Sequence, residues 1–256
     1  MLIGFYPSEM KILYFTSTGN SLAVARHFSD NPLSIVSLAR KECYRIEDDE
    51  AIGIVVPDHV STLPRPVISF LEKATLSAPY IFGIITYGSY LGTSLLELSK
   101  LCRLDYGNGI LMIDNYFPLF NQKEQVENES KKHIEQQLKG IAADISVRRR
   151  YVHPTGRWTA FVGLLMRKTF PLLGQNYKRF HIINDECIKC STCAKACPMD
   201  NIILSPYPVI GHNCIVCGAC RQNCPRNCIR FRGEKDTYQF RNSSVTAADI
   251  CKANNE

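Results

Sequence analysis

Cys187-Ile188-Lys189-Cys190-Ser191-Thr192-Cys193-Ala194-Lys195-Ala196-Cys197-Pro198, followed by Cys214-Ile215-Val216-Cys217-Gly218-Ala219-Cys220-Arg221-Gln222-Asn223-Cys224-Pro225, sets one cysteine pattern down twice. Each copy runs C-x-x-C-x-x-C-x-x-x-C-P. This is the ligand spacing of a pair of 4Fe–4S clusters in which the fourth cysteine of each run ligates the other cluster. Three thiolates two residues apart wrap one corner of a cube, but the fourth ligand has to approach from the far side, and the other copy supplies it. The spacing assigns Cys187, Cys190, Cys193 and Cys224 to one cluster and Cys214, Cys217, Cys220 and Cys197 to another. Zinc is the rival, since a lone C-x-x-C pair suits it equally. Zinc wants four ligands in two pairs, however, and has no use for a third cysteine at the same spacing or for the C-P ending. A disulfide framework fits less well still, because nothing else in the chain looks secreted.

Outward from this stretch, cysteine use is lopsided. Of the 12 cysteines only Cys43 and Cys102 precede residue 187, which divides the 256 residues into two domains of different chemistry. No charged segment followed by an apolar one opens the chain, and Met1 to Glu9 carries no pattern. The apolar stretch Trp158 to Met166 is broken by Arg167 and Lys168, far short of the roughly 20 residues of a membrane span. A cytoplasmic, reducing setting is expected. The formal net charge of +6 invites a nucleic-acid reading. Eight thiolates around two cubanes leave roughly four negative charges, however, and a cofactor phosphate adds about two more. The basicity mostly offsets the protein's own cofactors, and no basic stripe with interleaved aromatics appears.

Upstream, Lys11 to Phe15 is a buried strand that runs into Thr16-Ser17-Thr18-Gly19-Asn20-Ser21 and then a helix. Such a turn aims backbone N–H groups and short hydroxyls at one spot, with the positive end of the helix dipole behind them, and so holds a phosphate without a lysine. An ordinary Ser/Thr helix cap is the plainer alternative. The absence of Gly-Lys-Ser/Thr and of G-x-G-x-x-G argues against a nucleoside triphosphate loop and a dinucleotide fold, leaving a terminal monoester phosphate such as that of FMN. Leu33–Leu38, Ala51–Val56, Tyr80–Thr86 and Gly109–Ile113 read as further strands, with helices at Pro66–Ala74 and Thr93–Leu104. Five strands interleaved with helices make a parallel doubly wound sheet, whose ligand sits outside the carboxyl ends of the strands. Three loops lie there: Thr16–Ser21, Pro57–Pro66 and Tyr87–Gly92. Tyr87-Gly88-Ser89-Tyr90 offers aromatic faces to a planar ring, and His59 and Asn115 are further pocket candidates, a loop histidine being more often solvated.

On Tyr14-Phe15-Thr16-Ser17-Thr18-Gly19-Asn20-Ser21, Leu63-Pro64-Arg65-Pro66 and Thr86-Tyr87-Gly88, residues 10 to about 120 resemble a flavodoxin domain. Residues 180 to about 232 resemble a two-cluster bacterial ferredoxin, and the whole chain is similar to the fused flavodoxin-domain ferredoxins. The resemblance implies an α/β flavodoxin-like sheet of order 2-1-3-4-5 over 10–122, a helical linker over 123–179, a small α+β two-cluster domain over 180–232 and a flexible tail over 233–256. It also implies FMN on Thr16, Ser17, Thr18, Gly19, Asn20, Ser21, Pro57, Tyr87, Gly88, Tyr90 and Gly92. Where relatives carry an aromatic residue and a glycine before Leu-Pro, this chain has Val60-Ser61-Thr62, and where they carry a small residue after the second C-P-x-x it has Cys228, read as a buried apolar side chain.

Glu124 to Arg150 reads as one charged amphipathic helix covering the sheet edge. Arg148-Arg149-Arg150, Arg157, Arg167, Lys168, Lys178 and Arg179 make the linker basic, either as a docking surface for an acidic redox partner or the cluster domain, or as a solvated face. Cys251 reads as a bystander in a mobile tail. The expected activity is electron transfer between two 4Fe–4S clusters and FMN, serving redox partner proteins or a small-molecule acceptor. A flavin-dependent reductase of a specific small molecule, using Tyr90, His59 and Asn115, is the first alternative. An iron–sulfur regulatory or nucleic-acid-binding module is the second.

Overall fold

The computed structural model describes residues 10–173 and 176–255, so Met1 to Glu9 lies outside the described residues, as do the side chains of Arg167 and Lys168. The central sheet holds β1 (Lys11–Tyr14), β2 (Leu33–Ser34), β3 (Ala51–Pro57), β4 (Tyr80–Tyr87), β5 (Tyr106–Leu111) and β6 (Tyr151–Val152). Their spatial order is β2-β1-β3-β4-β5-β6, and every neighbouring pair is parallel. Six parallel strands between helices fit a flavodoxin-like domain. β3 and β4 are apolar along nearly their whole length because helices bury both faces of a parallel sheet. Those helices are α1 (Asn20–Phe28), α2 (Ile35–Arg40), α3 (Arg65–Leu71) and α4 (Ser94–Leu101). Arg45–Glu47 and Thr75–Ser77 form a separate two-stranded parallel pair.

Three expectations need correction. The strand read over Leu33–Leu38 is two residues long, and Ser34 then caps α2 by accepting the Ser37 N–H at 3.3 Å. A serine hydroxyl at that point favours a helix start over a continued ladder. The single helix over Glu124–Arg150 is instead α5 (Gln122–Glu127), a 3-10 turn at Glu129–Lys132 and α6 (Ile134–Ser146). His133, with φ +47°, breaks the run. Ile141, Ala142 and Ile145 of α6 are buried in the sheet's core, and β6 follows as a sixth strand. The third correction concerns the tail. Residues 247–255 form α10 (Ala247–Asn255), with Ile250, Ala253 and Asn254 buried, and Phe240 and Val245 are buried ahead of it.

The cysteine-rich domain repeats at an offset of 27 residues in backbone as well as sequence. Between the sheet and this domain runs α7 (Arg157–Leu173), and α8 (Thr192–Lys195) is matched by α9 (Ala219–Gln222). Left-handed φ values at Lys189, Ser191 and Asp200 recur at Val216, Gly218 and Asn227. The strands Ile202–Leu204 and Pro208–Ile210 form one hairpin, while Phe180–Ile182 pairs with Ile229–Phe231. The core is continuous across the two domains: Ala196, Ala219, Val245 and Ile250 belong to the apolar cluster that contains Ile12 and Tyr106. Arg221, wholly buried, ties the two together. Its Nε donates to Glu234 at 2.7 Å, its Nη groups to the Tyr238 and Asp236 carbonyls at 3.0 Å each, and its guanidinium lies 4.9 Å over the Phe117 ring.

Candidate functional site

Two small cavities open among the cysteines, and their walls sort the eight residues into the sets that the spacing assigned. One is lined by Cys187, Cys190, Cys193 and Cys224 with Cys228 as a fifth cysteine, the other by Cys197, Cys214, Cys217 and Cys220. Among the described residues no group of three or more His, Cys, Asp or Glu converges as a single metal ion requires. Backbone N–H groups point at the sulfurs, Asn201 at Cys197 Sγ (3.5 Å) and Val216 at Cys214 Sγ (3.3 Å), as expected around anionic thiolates. Burial raises Cys193 to about 11 and Cys217 to about 12, a cost that falls on their thiolates when no metal is bound. A metal ligated to these sulfurs holds them deprotonated outright. Cys228 is buried, with its Sγ 3.4 Å from that of Cys224. Cys251 is half-buried, its thiol facing the Thr192 carbonyl at 3.7 Å.

The larger cleft lies at the carboxyl ends of β1, β3 and β4, with about 1020 Å³ of empty space counted to its open mouth. Of the eleven expected FMN residues, Thr16, Ser17, Thr18, Asn20, Ser21, Pro57, Tyr87, Gly88 and Tyr90 line it, as do His59 and Asn115. Gly19 and Gly92 do not. Gly19 sits at φ +100°, which only glycine adopts without strain, and its N–H is taken by Thr16 Oγ1 at 3.0 Å. Gly92 packs against Ser61, where a Cβ would clash with Ser61 Oγ, and so supports the second loop from behind.

The hydroxyl-rich loop is oriented from outside the first domain. Asn254 Nδ2 donates to the Thr16 carbonyl (3.3 Å), Asn223 Nδ2 to that of Ser17 (3.2 Å) and the Asn242 main-chain N–H to that of Thr18 (2.8 Å). In a trans peptide the carbonyl of one residue and the N–H of the next point opposite ways. With these carbonyls held toward the cysteine domain and tail, the Ser17 and Thr18 N–H groups face the cleft. The first-turn N–H groups of α1 have no intrahelical acceptor either. Among the described side chains no lysine or arginine lines the cleft, so its anion-facing donors are N–H, hydroxyl and amide groups.

The second loop holds residues that sequence reasoning missed. Val60 and Ser61 sit at φ +60° and +64°, unusual for a serine and an outlier for a β-branched valine. Asp58 clamps them: Oδ1 accepts the Ser61 N–H and Oδ2 the Ser94 hydroxyl, both at 2.7 Å. Burial pushes the Asp58 carboxyl up to about 6. Next to it His59 is not solvated. Burial lowers it to about 4, and its Nε2 is buried without a hydrogen-bond partner among the described residues. Asp114, also raised by burial, accepts from Ser89 Oγ (3.0 Å) and the Tyr116 N–H (3.0 Å). An orphaned polar atom, aromatic walls and an anion-ready loop together fit a phosphorylated flavin.

Cys217 lines this cleft as well as its own cavity. The one side chain shared by the two sites is therefore a candidate cluster ligand.

Residues 180–203 match the 4Fe-4S binding domain family, Fer4, a span that covers the first cysteine run. No match was found among curated proteins. The chain thus carries a 4Fe–4S binding domain, the iron–sulfur chemistry of electron transfer, attached to a six-stranded parallel α/β domain.

Proposed function

We propose that the chain is an electron-transfer protein holding two 4Fe–4S clusters and one FMN. The observation that carries this reading is Cys217 at the boundary of its cluster cavity and the large cleft. Clusters change by one electron and flavins by one or two, so FMN here supplies conversion between single-electron and paired-electron traffic. The chain's own residues do the rest. Thr16 to Ser21 bind the phosphate, Tyr87 and Tyr90 border the ring, and Asp58 holds the loop with Val60 and Ser61 against it. His59, neutral at pH 7, offers Nε2 to a polar edge. Cys187, Cys190, Cys193 and Cys224 hold one cluster, and Cys197, Cys214, Cys217 and Cys220 the other. The buried linkage through Arg221 and the tail keeps the second cluster fixed against the cleft. Redox proteins, or a small acceptor reduced at the flavin, are the proposed partners.

Protein purified without oxygen is assayed for iron, acid-labile sulfide and released flavin. The reading requires about eight irons, eight sulfides and one FMN per chain. Full iron with no flavin after incubation with FMN overturns the flavin half, and about one zinc or about four irons per chain overturns the two-cluster half.

A further inference from the structure

Helix α7 has two unlike faces. On the inner one Gly163 is buried so close to Ser61 and Thr93 that a Cβ there would stand 2.7 Å from Thr93 Cγ2, and Met166 borders the large cleft. On the outer one Trp158, Phe161, Leu164 and Leu165 are 75, 56, 54 and 52% exposed. Their spacing of three, three and one puts them on a single stripe. Trp158 and Phe161 stack on each other, ring centroids 5.7 Å apart.

The charge around this stripe is one-sided. Between Asp144 and Asp185 there is no Asp or Glu, while eight Lys and Arg occur. Three of them are balanced locally, Arg148 by Glu50, Arg149 by Asp144 and Arg150 by Asp105. Of the rest, Arg157 opens α7, Arg167 and Lys168 follow the stripe in sequence and Lys178 comes after the helix, while Arg179 donates to the Arg232 carbonyl and lies over the Phe231 ring. No helix of the described residues is long and apolar enough to cross a membrane. An apolar stripe with Trp and Phe, bounded by cations and free of acids, is the composition of a helix lying in the plane of a lipid interface. Anionic headgroups add to the attraction of each nearby cation.

We infer that the outer face of α7 docks on an anionic lipid surface, with Trp158, Phe161, Leu164 and Leu165 entering the interface. The same helix borders the large cleft, so docking brings the cleft's rim to the lipid. The inference does not depend on which cofactor the cleft holds.

Trp158 is the only tryptophan in the chain, which makes the test direct. The full-length, iron-loaded protein is floated with phosphatidylglycerol-containing vesicles and with pure phosphatidylcholine vesicles, and Trp158 emission is recorded. The expected result is flotation with the anionic vesicles only, reversed by high salt, with a blue shift of Trp158 emission. The double variant Phe161→Asp, Leu165→Asp loses at least about tenfold in partitioning, with iron content and melting temperature unchanged. No flotation with anionic vesicles at low salt overturns the inference. So does undiminished flotation of the double variant, or a blue shift that grows with protein concentration without vesicles, which would assign the face to a second copy of the chain.

Discussion

The two halves of the cysteine repeat share every spacing and three left-handed backbone positions, yet they sit in different surroundings. The cavity of Cys187, Cys190, Cys193 and Cys224 reaches the surface, with Cys190 exposed. The cavity of Cys197, Cys214, Cys217 and Cys220 adjoins the first domain, where Cys217 borders the large cleft and Val216 packs with Phe117. On the proposed function, one motif would take two roles through placement: an outer cluster for exchange with partners and an inner one facing the flavin, which would give a relay its direction in space.

The sharpest way to break that comparison is to remove one ligand from each half. Cys217→Ser is expected to cut iron from about eight to about four per chain and to abolish cluster-dependent reduction of the flavin. Cys190→Ser, with the same iron loss, leaves the inner cluster and the flavin coupled. Equal flavin reduction in the two variants, measured by anaerobic absorbance, would erase the distinction. Next in size is Arg221→Ala, which removes one of the two guanidinium partners of the buried Glu234 carboxylate, Arg230 remaining, and frees the Asp236 and Tyr238 carbonyls. Breaking such a buried pair costs about 3–5 kcal/mol, readable as a fall in melting temperature with both domains affected together.

Much of this arrangement could be read from residues alone, and the reason is local chemistry. Cluster ligation leaves a spacing that packing does not need, and buried parallel strands leave apolar runs such as Ala-Ile-Gly-Ile-Val-Val at 51–56. The tail left no such trace. Phe240, Val245, Ile250 and Ala253 follow no single period because they fill a seam whose two walls belong to different domains. Asp58 was equally hidden: a lone acid after a strand looks solvated until the fold brings Ser61 and Ser94 to its oxygens. Val60 and Ser61 show the same limit, because the backbone takes the left-handed turn there without the expected glycine.

Smaller effects sharpen the picture of how the inner half supports the cleft. Asn254→Ala leaves the Thr16 and Ala196 carbonyls without their shared donor. It is expected to cost about 1–3 kcal/mol and to weaken FMN binding about tenfold, measured by fluorescence titration. Unaltered FMN affinity would show that the tail does not orient the loop. Asp58 gives the smallest effect, in pH dependence. Its folded value of about 6 stands above the roughly 3.9 of an unfolded aspartate. As pH falls the native chain therefore takes up this proton first. Asp58 costs stability above about pH 6, and that cost is relieved between about pH 6 and 4. Asp58→Asn should flatten that part of the stability curve in chemical denaturation, and an unchanged slope would remove Asp58 from the account.

The adjacency of the inner cluster and the flavin is tested most directly by rapid anaerobic photoreduction of the fully loaded protein, following cluster bleaching and flavin reduction together. Transfer within one chain predicts flavin reduction that trails cluster reduction at a rate independent of protein concentration. A rate that rises in proportion to protein concentration, or reduced clusters beside a flavin that stays oxidised, would contradict it.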